Sequence, residues 1–171
     1  MRKYFFFIAA VVLLLDRAAK WAVTRNIALH DNVPIIPGFF HLIHVENTGA
    51  AFGLFADSTA QWKIGALVSF SVIALVIVLG LLWRNSHALT TTTVALSLIL
   101  GGAGGNLWDR MVSGRVVDFF DFYLGSYHWP AFNVADSAIV IGAILLVAEV
   151  IFAKPTNENT KHSRETVKSN L

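Results

Sequence analysis

The sequence predicts an all-α membrane protein with four transmembrane helices. Two observations carry this prediction. Hydrophobic residues make up 56% of the 171 residues and charged residues only 14%, and the mean hydropathy of +0.62 is too high for a soluble fold, which must cover its surface with polar groups. The apolar residues also cluster in long runs with few charges, as the helices of a membrane protein do.

Four apolar segments are candidate transmembrane helices. The second, residues 64–83, and the third, residues 88–108, contain no Asp, Glu, Lys or Arg, although the third includes four threonines and a glycine cluster. The first, residues 4–15, and the fourth, residues 137–148, are shorter, and each ends at an acidic residue. These two span a bilayer only if their helices continue through charged residues that face protein or water.

The first segment also has one feature of a cleavable signal peptide, because Arg2 and Lys3 precede it. It is followed by Asp16 and Arg17 without a small-x-small cleavage site, so a retained helix is the better interpretation. All five tryptophans fall near proposed helix ends or in the outer loops, where interfacial aromatic residues are enriched.

An even number of spans places both termini on one side of the membrane. The Lys and Arg residues favour cytoplasmic termini only weakly. The acidic residues are more unevenly distributed, and any chemistry belongs on the side where most of them lie. That outer side holds Asp16, Asp31, Glu46, Asp57, Asp109, Asp118, Asp121 and Asp136.

Two short elements are predicted within the first outer loop, residues 25–63. Alternating apolar residues over 39–45 indicate a strand, and residues 53–62 are compatible with a short interfacial helix. We find no internal repeat or domain boundary. The sequence therefore predicts a single domain, residues 1–154, followed by a polar cytoplasmic tail, residues 155–171, that is disordered.

Asp118 and Asp136 stand in strongly apolar surroundings. Asp118 lies within VVDFF, and Asp136 lies where the fourth apolar segment begins. Carboxylates near lipid are costly and usually face a cavity, a partner or a reacting group. Two carboxylates brought together can share one proton, so that one acts as base and the other as acid toward a peptide carbonyl. The spacing alone favours the simpler alternative, in which each caps a helix or pairs with Arg110 or Arg115.

Asp121 is a third candidate. Asp118 and Asp121 share a face if the local segment is helical, and they point to opposite faces if it is extended. The residues themselves leave both the local structure and the choice of aspartate open.

GGAGGNLWDR, residues 101–110, closes the third apolar segment. Its glycines predict close helix packing, or else a break in the helix, in preference to ligand binding. Asn106 follows at the membrane edge, and Asp109 and Arg110 are most simply explained as a structural ion pair or as helix-end charges.

Two further polar pairs have simple structural explanations. Asp16 and Lys20 are spaced i,i+4 on the first helix, which predicts a structural salt bridge. Asn47 and Gly49 lie in ENTGAAFG, which is either a substrate-binding loop or, more simply, a turn.

Several other chemistries lack support. The chain has no cysteine for a disulfide or a thiolate nucleophile, and a net charge of +2 is not the footprint of nucleic-acid binding. There is no H-E-x-x-H motif, the six histidines lack convincing ligand spacing, and the patterns of rhomboid-type and presenilin-like proteases are missing. We therefore expect neither a metal nor another cofactor.

Five motifs occur in order: DRAAK at 16–20, NTGAAFG at 47–53, GGAGGNLWDR at 101–110, GRVVDFFDF at 114–122 and FNVADSAI at 132–139. Together they closely resemble the prolipoprotein signal peptidase family, also called signal peptidase II. The resemblance implies a four-helix aspartic endopeptidase of the bacterial inner membrane, which removes signal peptides from diacylglyceryl-modified prolipoproteins by cleaving before the lipidated cysteine. It also implies a small extracytoplasmic β-sheet, a short interfacial helix and binding of the cyclic peptide inhibitor globomycin.

The resemblance also implies residue roles. Asp118 and Asp136 match the catalytic pair, which favours Asp118 over Asp121. Asp16 and Lys20 match a motif that is mainly structural. Further positions match the active-site surroundings or the substrate cleft: Asn47, Gly49, Asn106, Asp109, Arg110, Asn133 and Ala135.

Arg17 and Ala19 depart from the family's first motif, which often has Gln or Leu after its aspartate and Ser or Thr before its lysine. Arg17 adds a charge near the outer membrane edge that could alter contacts with substrate or lipid. We expect a monomer that contacts membrane lipid and prolipoproteins and binds no nucleic acid. The alternative functions are a small transporter or proton-relay protein using the same carboxylates, and a structural scaffold.

Overall fold

The computed structural model describes residues 2–49, 62–85 and 89–152. Within these ranges the helices are α1 (Arg2–Asn26), α2 (Trp62–Asn85), α3 (Thr91–Ser113) and α4 (Val134–Phe152). The strands are β1 (Asn32–Ile36), β2 (Phe40–Asn47), β3 (Val116–Leu124) and β4 (Tyr127–His128). The chain is therefore mainly helical, with one small sheet. Strands β1 and β2 lie between α1 and α2 in the sequence, and β3 and β4 lie between α3 and α4.

Two of these helices are long and apolar enough to cross a membrane, namely Ile64–Asn85 within α2 and Val134–Phe152, which is α4. Helices α1 and α3 have similar lengths, 25 and 23 residues. Their composition is more polar, because α1 includes Asp16, Arg17 and Lys20 and α3 begins with threonines. Hydropathy and length thus identify two spans in the part of the chain that the structure describes, where the sequence predicted four.

Helix α3 packs against α1, α2 and α4, and glycines allow the close approach. A Cβ atom on Gly101 would lie 2.6 Å from the Ala9 carbonyl oxygen of α1, and one on Gly142 of α4 would lie 2.6 Å from the Ala95 carbonyl oxygen of α3. Gly102 likewise packs against the backbone of Ala135. Because α3 continues unbroken through this region, the packing interpretation is confirmed and the predicted alternative, a helix break, is wrong.

Helix α3 has a defined start and end, which fix the position of the following strand. Thr90 and Thr93 form a capping box at its N-terminus. Gly114 ends it with a left-handed backbone (φ 70°), and its N–H donates to the Arg110 carbonyl oxygen at 3.1 Å. The chain then turns directly into β3.

The sheet is antiparallel with strand order β1-β2-β3-β4. The strand predicted from alternation at 39–45 is confirmed as β2, whereas the predicted interfacial helix at 53–62 lies almost entirely outside the described residues. Phe119 of β3 packs with Val23 of α1 and with Ile27, the residue that follows α1. This contact fastens the sheet to the end of α1 and places β3 beside the first turn of α4.

Candidate active site

Asp118 of β3 and Asp136 of α4 line one cavity of about 590 Å³. The cavity is formed where β3, the end of α3, the start of α4 and the segment before α4 come together. Its lining residues are Asn47, Asn106, Arg110, Val116, Asp118, Trp129, Pro130, Ala131, Phe132, Asp136, Ser137, Ile139, Val140 and Ile141. The walls are thus mostly apolar, with two carboxylates, two amides and one guanidinium among them.

Asp118 is held in place by neutral amides. Strand β3 pairs with β2 so that Asp118 lies opposite Val45, and only 3% of the Asp118 residue is exposed. Asn47 Nδ2 donates to Asp118 Oδ2 at 3.0 Å, and Asn133 Nδ2 donates to Oδ1 at 2.7 Å. Both carboxyl oxygens therefore have hydrogen-bond partners, but neither partner carries a compensating charge.

The surroundings of Asp118 favour its protonated form. Burial raises the pKa of Asp118 to about 6, because a buried carboxylate loses its hydration. The hydrogen bonds from Asn47 and Asn133 act in the opposite direction, and the negative charge of nearby Asp136 adds to the rise. Asp118 consequently titrates much closer to neutral pH than an ordinary aspartate does.

Asp136 lies in the first turn of α4 and takes part in a capping box. Its backbone N–H donates to Asn133 Oδ1 at 3.0 Å, and its own Oδ2 accepts the Asn133 backbone N–H at 3.3 Å. Asn106 Nδ2 donates to Asp136 Oδ1 at 2.7 Å. The helix-cap alternative considered for Asp136 thus describes part of its geometry, but this cap also turns the carboxylate into the cavity.

Asn133 and Asn106 join the two aspartates. Asn133 contacts both, since its side chain donates to Asp118 and its backbone bonds to Asp136. Asn133 Nδ2 also approaches Asn106 Oδ1 at 3.5 Å. Asn133 is fully buried and Asn106 is 6% exposed, so these amides form a water-protected frame for the pair.

Asn47, Gly49 and Arg110 are linked by hydrogen bonds, and Asn47 and Arg110 line the cavity. The Gly49 N–H donates to Asn47 Oδ1 at 2.8 Å, which turns the Asn47 NH₂ group toward Asp118. Arg110 Nη2 donates to the Gly49 carbonyl oxygen at 3.3 Å. The Arg110 side chain thereby links α3 to this turn and puts a positive charge at the cavity wall.

The predicted ion pair between Asp109 and Arg110 is wrong. Asp109 turns away from the cavity and instead binds Arg17 and Lys20 of α1, with a Lys20 Nζ to Asp109 Oδ2 distance of 2.7 Å. The physical reason is the helix geometry, because successive residues on a helix project about 100° apart. Arg110 faces the cavity, while Asp109 faces α1.

Asp16, Lys20 and Asp109 form a buried ion cluster between α1 and α3, which the partly exposed Arg17 joins at its edge. The predicted Asp16–Lys20 salt bridge is confirmed, with Lys20 Nζ 2.7 Å from Asp16 Oδ2. Asp16 Oδ1 also accepts the backbone N–H of Ala135, at 3.0 Å, in the first turn of α4. The carboxylate thus satisfies an amide that α4 leaves unpaired at its start. The cluster ties three helices together directly behind the two aspartates.

Asp121 and Arg115 do not join the cavity lining. Strand β3 is extended, so Asp121 faces the opposite side from Asp118, where His128 Nδ1 lies 2.9 Å and His41 Nδ1 3.5 Å from its carboxyl oxygens. Arg115 pairs with Glu46 at 2.8 Å. The alternative in which Asp118 pairs with Arg115 is therefore wrong.

The apolar lining was not identified from the sequence. Ile139 and Val140 follow Asp136 by three and four positions, so a helical spacing rule applied to Asp136 would have found them. Trp129, which the sequence indicated only as an interfacial residue, and Phe132 directly precede the α4 cap and also line the cavity. Among the described residues, no group of three or more His, Cys, Asp or Glu side chains could hold a metal ion.

Comparison with known proteins gives consistent matches over most of the chain. A family model described as signal peptidase (SPase) II matches residues 8–152. A lipoprotein signal peptidase of Solibacter usitatus is 44% identical over 147 residues, which cover 86% of this chain and 90% of that protein. One from Serratia marcescens is 42% identical over 154 residues, covering 90% and 88% respectively. A solved bacterial membrane enzyme superposes with a TM-score of 0.77 and 29% identity, covering 89% of this chain and 95% of that one.

Proposed function

This chain belongs to the signal peptidase II family of bacterial membrane proteases, and on that premise we propose an aspartic mechanism with Asp118 and Asp136 as the catalytic pair. The single observation that carries the proposal is that these two carboxylates share one cavity and are held there by neutral amides. The substrate is a diacylglyceryl-modified prolipoprotein, and the cleaved bond directly precedes the lipidated cysteine.

In the proposed reaction, Asp118 begins protonated and Asp136 begins ionised. Asp136 takes a proton from water, the resulting hydroxide attacks the scissile carbonyl carbon, and the Asp118 proton passes to the carbonyl oxygen. The intermediate then collapses, with Asp136 giving its proton to the leaving amine and Asp118 recovering one from the intermediate's hydroxyl. Both aspartates return to their starting states. The raised pKa of Asp118, about 6, supports this assignment, because it makes the protonated form far more accessible near neutral pH than it is for an ordinary aspartate.

The residues around the pair have supporting roles in this proposal. Asn47, Asn106 and Asn133 orient the carboxyl groups. Arg110 lines the cavity, and its hydrogen bond to the Gly49 carbonyl oxygen holds it there. Ala135 donates its backbone N–H to Asp16, and Gly102 of α3 leaves room for the Ala135 carbonyl oxygen. Asp16, Lys20 and Asp109 are structural, since their bonds join α1 to α3 and α4.

The cavity also suits a substrate that remains partly in lipid. Val140 and Ile141 line it and are themselves 55% and 52% exposed on the side of α4. A cavity that opens to the side of a helix, rather than only along its axis, lets diacylglyceryl chains stay in the bilayer while the peptide reaches the aspartates. Globomycin binds the same cavity in this proposal.

For the membrane arrangement, we propose that all four helices cross the bacterial inner membrane, with both termini in the cytoplasm and the sheet and active site on the outer side. The charged residues of α1 support a span despite their cost, because Asp16 and Lys20 are 0% and 2% exposed and face protein rather than lipid. The catalytic domain comprises residues 1–154, followed by a polar tail, and the protein acts as a monomer without a cofactor.

A cleavage assay tests the proposal. The purified protein in lipid nanodiscs is incubated with a diacylglyceryl-modified prolipoprotein, with the same prolipoprotein lacking the lipid, and with the lipidated form plus globomycin. Only the first reaction should release the signal peptide. Equal cleavage in all three reactions, or activity that depends on a proton gradient and yields no peptide product, would contradict it.

A further inference from the structure

A buried path leads from Lys20 to the aspartate pair. Lys20 Nζ donates to Asn106 Oδ1 at 3.0 Å, and Asn106 Nδ2 donates to Asp136 Oδ1 at 2.7 Å. Lys20 is 2% exposed and Asn106 6%, so water neither screens these bonds nor replaces them. The remaining ammonium contacts, to Asp16 and Asp109 at 2.7 Å each, hold the lysine in this position.

The chemistry of Lys20 fixes the orientation of the Asn106 side-chain amide. An ammonium group only donates hydrogen bonds, so Asn106 must turn its oxygen toward Lys20. Its NH₂ group then faces Asp136. In the reversed orientation the amide would point its NH₂ at the ammonium and its oxygen at a carboxylate, and both contacts would be repulsive.

We propose that Lys20 is a positioning residue for catalysis, acting through Asn106 to hold Asp136 as a hydrogen-bond acceptor facing Asp118. The inference rests on the proposed catalytic pair and adds a function for the ion cluster beyond joining the helices. Without Lys20, the Asn106 amide can reverse and present its oxygen to Asp136. That orientation favours a protonated Asp136, which is the wrong state for a residue that must take a proton from water.

Arg17 provides the matched control within the same cluster. It binds Asp109 as Lys20 does, but its hydrogen bonds within the described structure do not include Asn106. A purely structural role predicts that removing either cation affects catalysis only through stability. A positioning role predicts that only the loss of Lys20 changes the turnover of folded enzyme.

The test compares Lys20→Met with Arg17→Met by steady-state kinetics on a diacylglyceryl-modified prolipoprotein, at pH values from 5 to 9. We expect Lys20→Met to lower kcat about ten-fold, equivalent to about 1.4 kcal/mol, with KM within about two-fold of wild type. The dependence of its kcat on pH should also differ from that of wild type, because the Asn106 amide can then reverse toward Asp136. Arg17→Met should keep both kcat and the pH profile. An equal loss of kcat in the two variants would overturn the inference, because it would show that Lys20 has only a structural role.

A charge-balanced variant covers the case in which Lys20→Met does not fold, since loss of one partner leaves buried charges unpaired. Asp16→Asn combined with Lys20→Met removes one charge of each sign, and Asp16→Asn alone is its control. The double variant should have about ten-fold lower kcat than this control. An unchanged kcat would overturn the inference.

A double-mutant cycle with Asn106→Leu tests whether the effect passes through Asn106. Lys20→Met should cause little further loss of kcat once Asn106 has been replaced, and fully additive losses would overturn the inference. The proposed function fails separately, because it requires Asp118→Asn to abolish cleavage whatever the result at Lys20.

Discussion

Asp118 and Asp121 lie three positions apart on one strand and are almost equally buried, with 3% and 5% exposed. Their surroundings nevertheless differ in kind. Asp118 faces a cavity and accepts hydrogen bonds from the neutral amides of Asn47 and Asn133. Asp121 faces the imidazoles of His128 and His41, on β4 and β2.

The difference shows that the partner, rather than burial alone, decides what a carboxylate can do. An amide donates a hydrogen bond but cannot take or supply the compensating charge, so a proton on Asp118 remains available near neutral pH. An imidazole can carry a positive charge of its own, and Asp121 is therefore suited to fastening β2, β3 and β4 together. One strand thus presents an amide-bonded carboxylate that lines the cavity on one face and an imidazole-bonded carboxylate on the other.

The largest expected effect comes from removing either member of the pair. Asp118→Asn and Asp136→Asn should each lower kcat for a lipidated prolipoprotein at least about 1,000-fold, because neither amide can replace the proton transfers. Both variants should fold, since asparagine preserves the shape of the side chain. Near-normal cleavage by either variant, measured as signal peptide released, would remove that residue from the catalytic pair.

The next effect concerns stability. The folded pKa of Asp118 is about 6, against 3.8 for the ordinary group, so the stabilisation from its protonated form is complete below about pH 4 and is lost as the pH rises through about 6. Raising the pH from 4 to 8 should therefore destabilise wild type, relative to Asp118→Asn, by about 2 kcal/mol.

This stability difference can be followed by thermal unfolding in detergent at several pH values. Asp121→Asn serves as the matched control, because it makes the same chemical change on the opposite face of the same strand. A constant difference between wild type and Asp118→Asn across the whole pH range would contradict the raised pKa.

A smaller effect should follow from loss of one amide partner. Asn47→Ala removes a hydrogen bond that lowers the pKa of Asp118, so the pKa should rise further. We expect the basic limb of the kcat/KM profile to move to higher pH, and kcat/KM at its optimum to fall about ten-fold because the carboxyl group is held less firmly. A basic limb that moves to lower pH would place the proton on a different residue.

The smallest effect is expected at Asp121. Asp121→Asn weakens the contacts to His128 and His41, at a cost of about 1 kcal/mol in unfolding free energy. Cleavage activity should stay within about three-fold of wild type, because Asp121 lies outside the cavity lining. If Asp121→Asn were inactive while Asp118→Asn cleaved normally, Asp121 rather than Asp118 would be the catalytic residue.

Local patterns predicted several elements correctly. The uncharged run at 64–83 and the apolar run at 137–148 became α2 and α4, the alternation at 39–45 became β2, and the i,i+4 spacing of Asp16 and Lys20 became a salt bridge. The glycine cluster at 101–105 packs as predicted. Each of these features depends on residues close together in sequence, or on the small size of glycine wherever it packs.

The sequence failed where the outcome depended on distant partners. The extended conformation of β3 comes from pairing with β2, some seventy positions earlier for Asn47 and Asp118, and no local periodicity required it. Asp109 was matched with its neighbour Arg110, although the packing of α3 on α1 gives it Lys20 and Arg17. The apolar cavity wall was missed because its residues are typical of any membrane helix.

By itself, the sequence determined that this is an apolar chain with few charged residues, and its ordered motifs identified the family and the two aspartates to examine. Only the tertiary structure decided how those aspartates are held, because their protonation and orientation depend on groups from β2, α3 and α4 that meet at one point. Composition establishes that a buried carboxylate is costly. The packed structure decides whether an amide, an imidazole or an ammonium group offsets that cost, and the chemistry follows from which one it is.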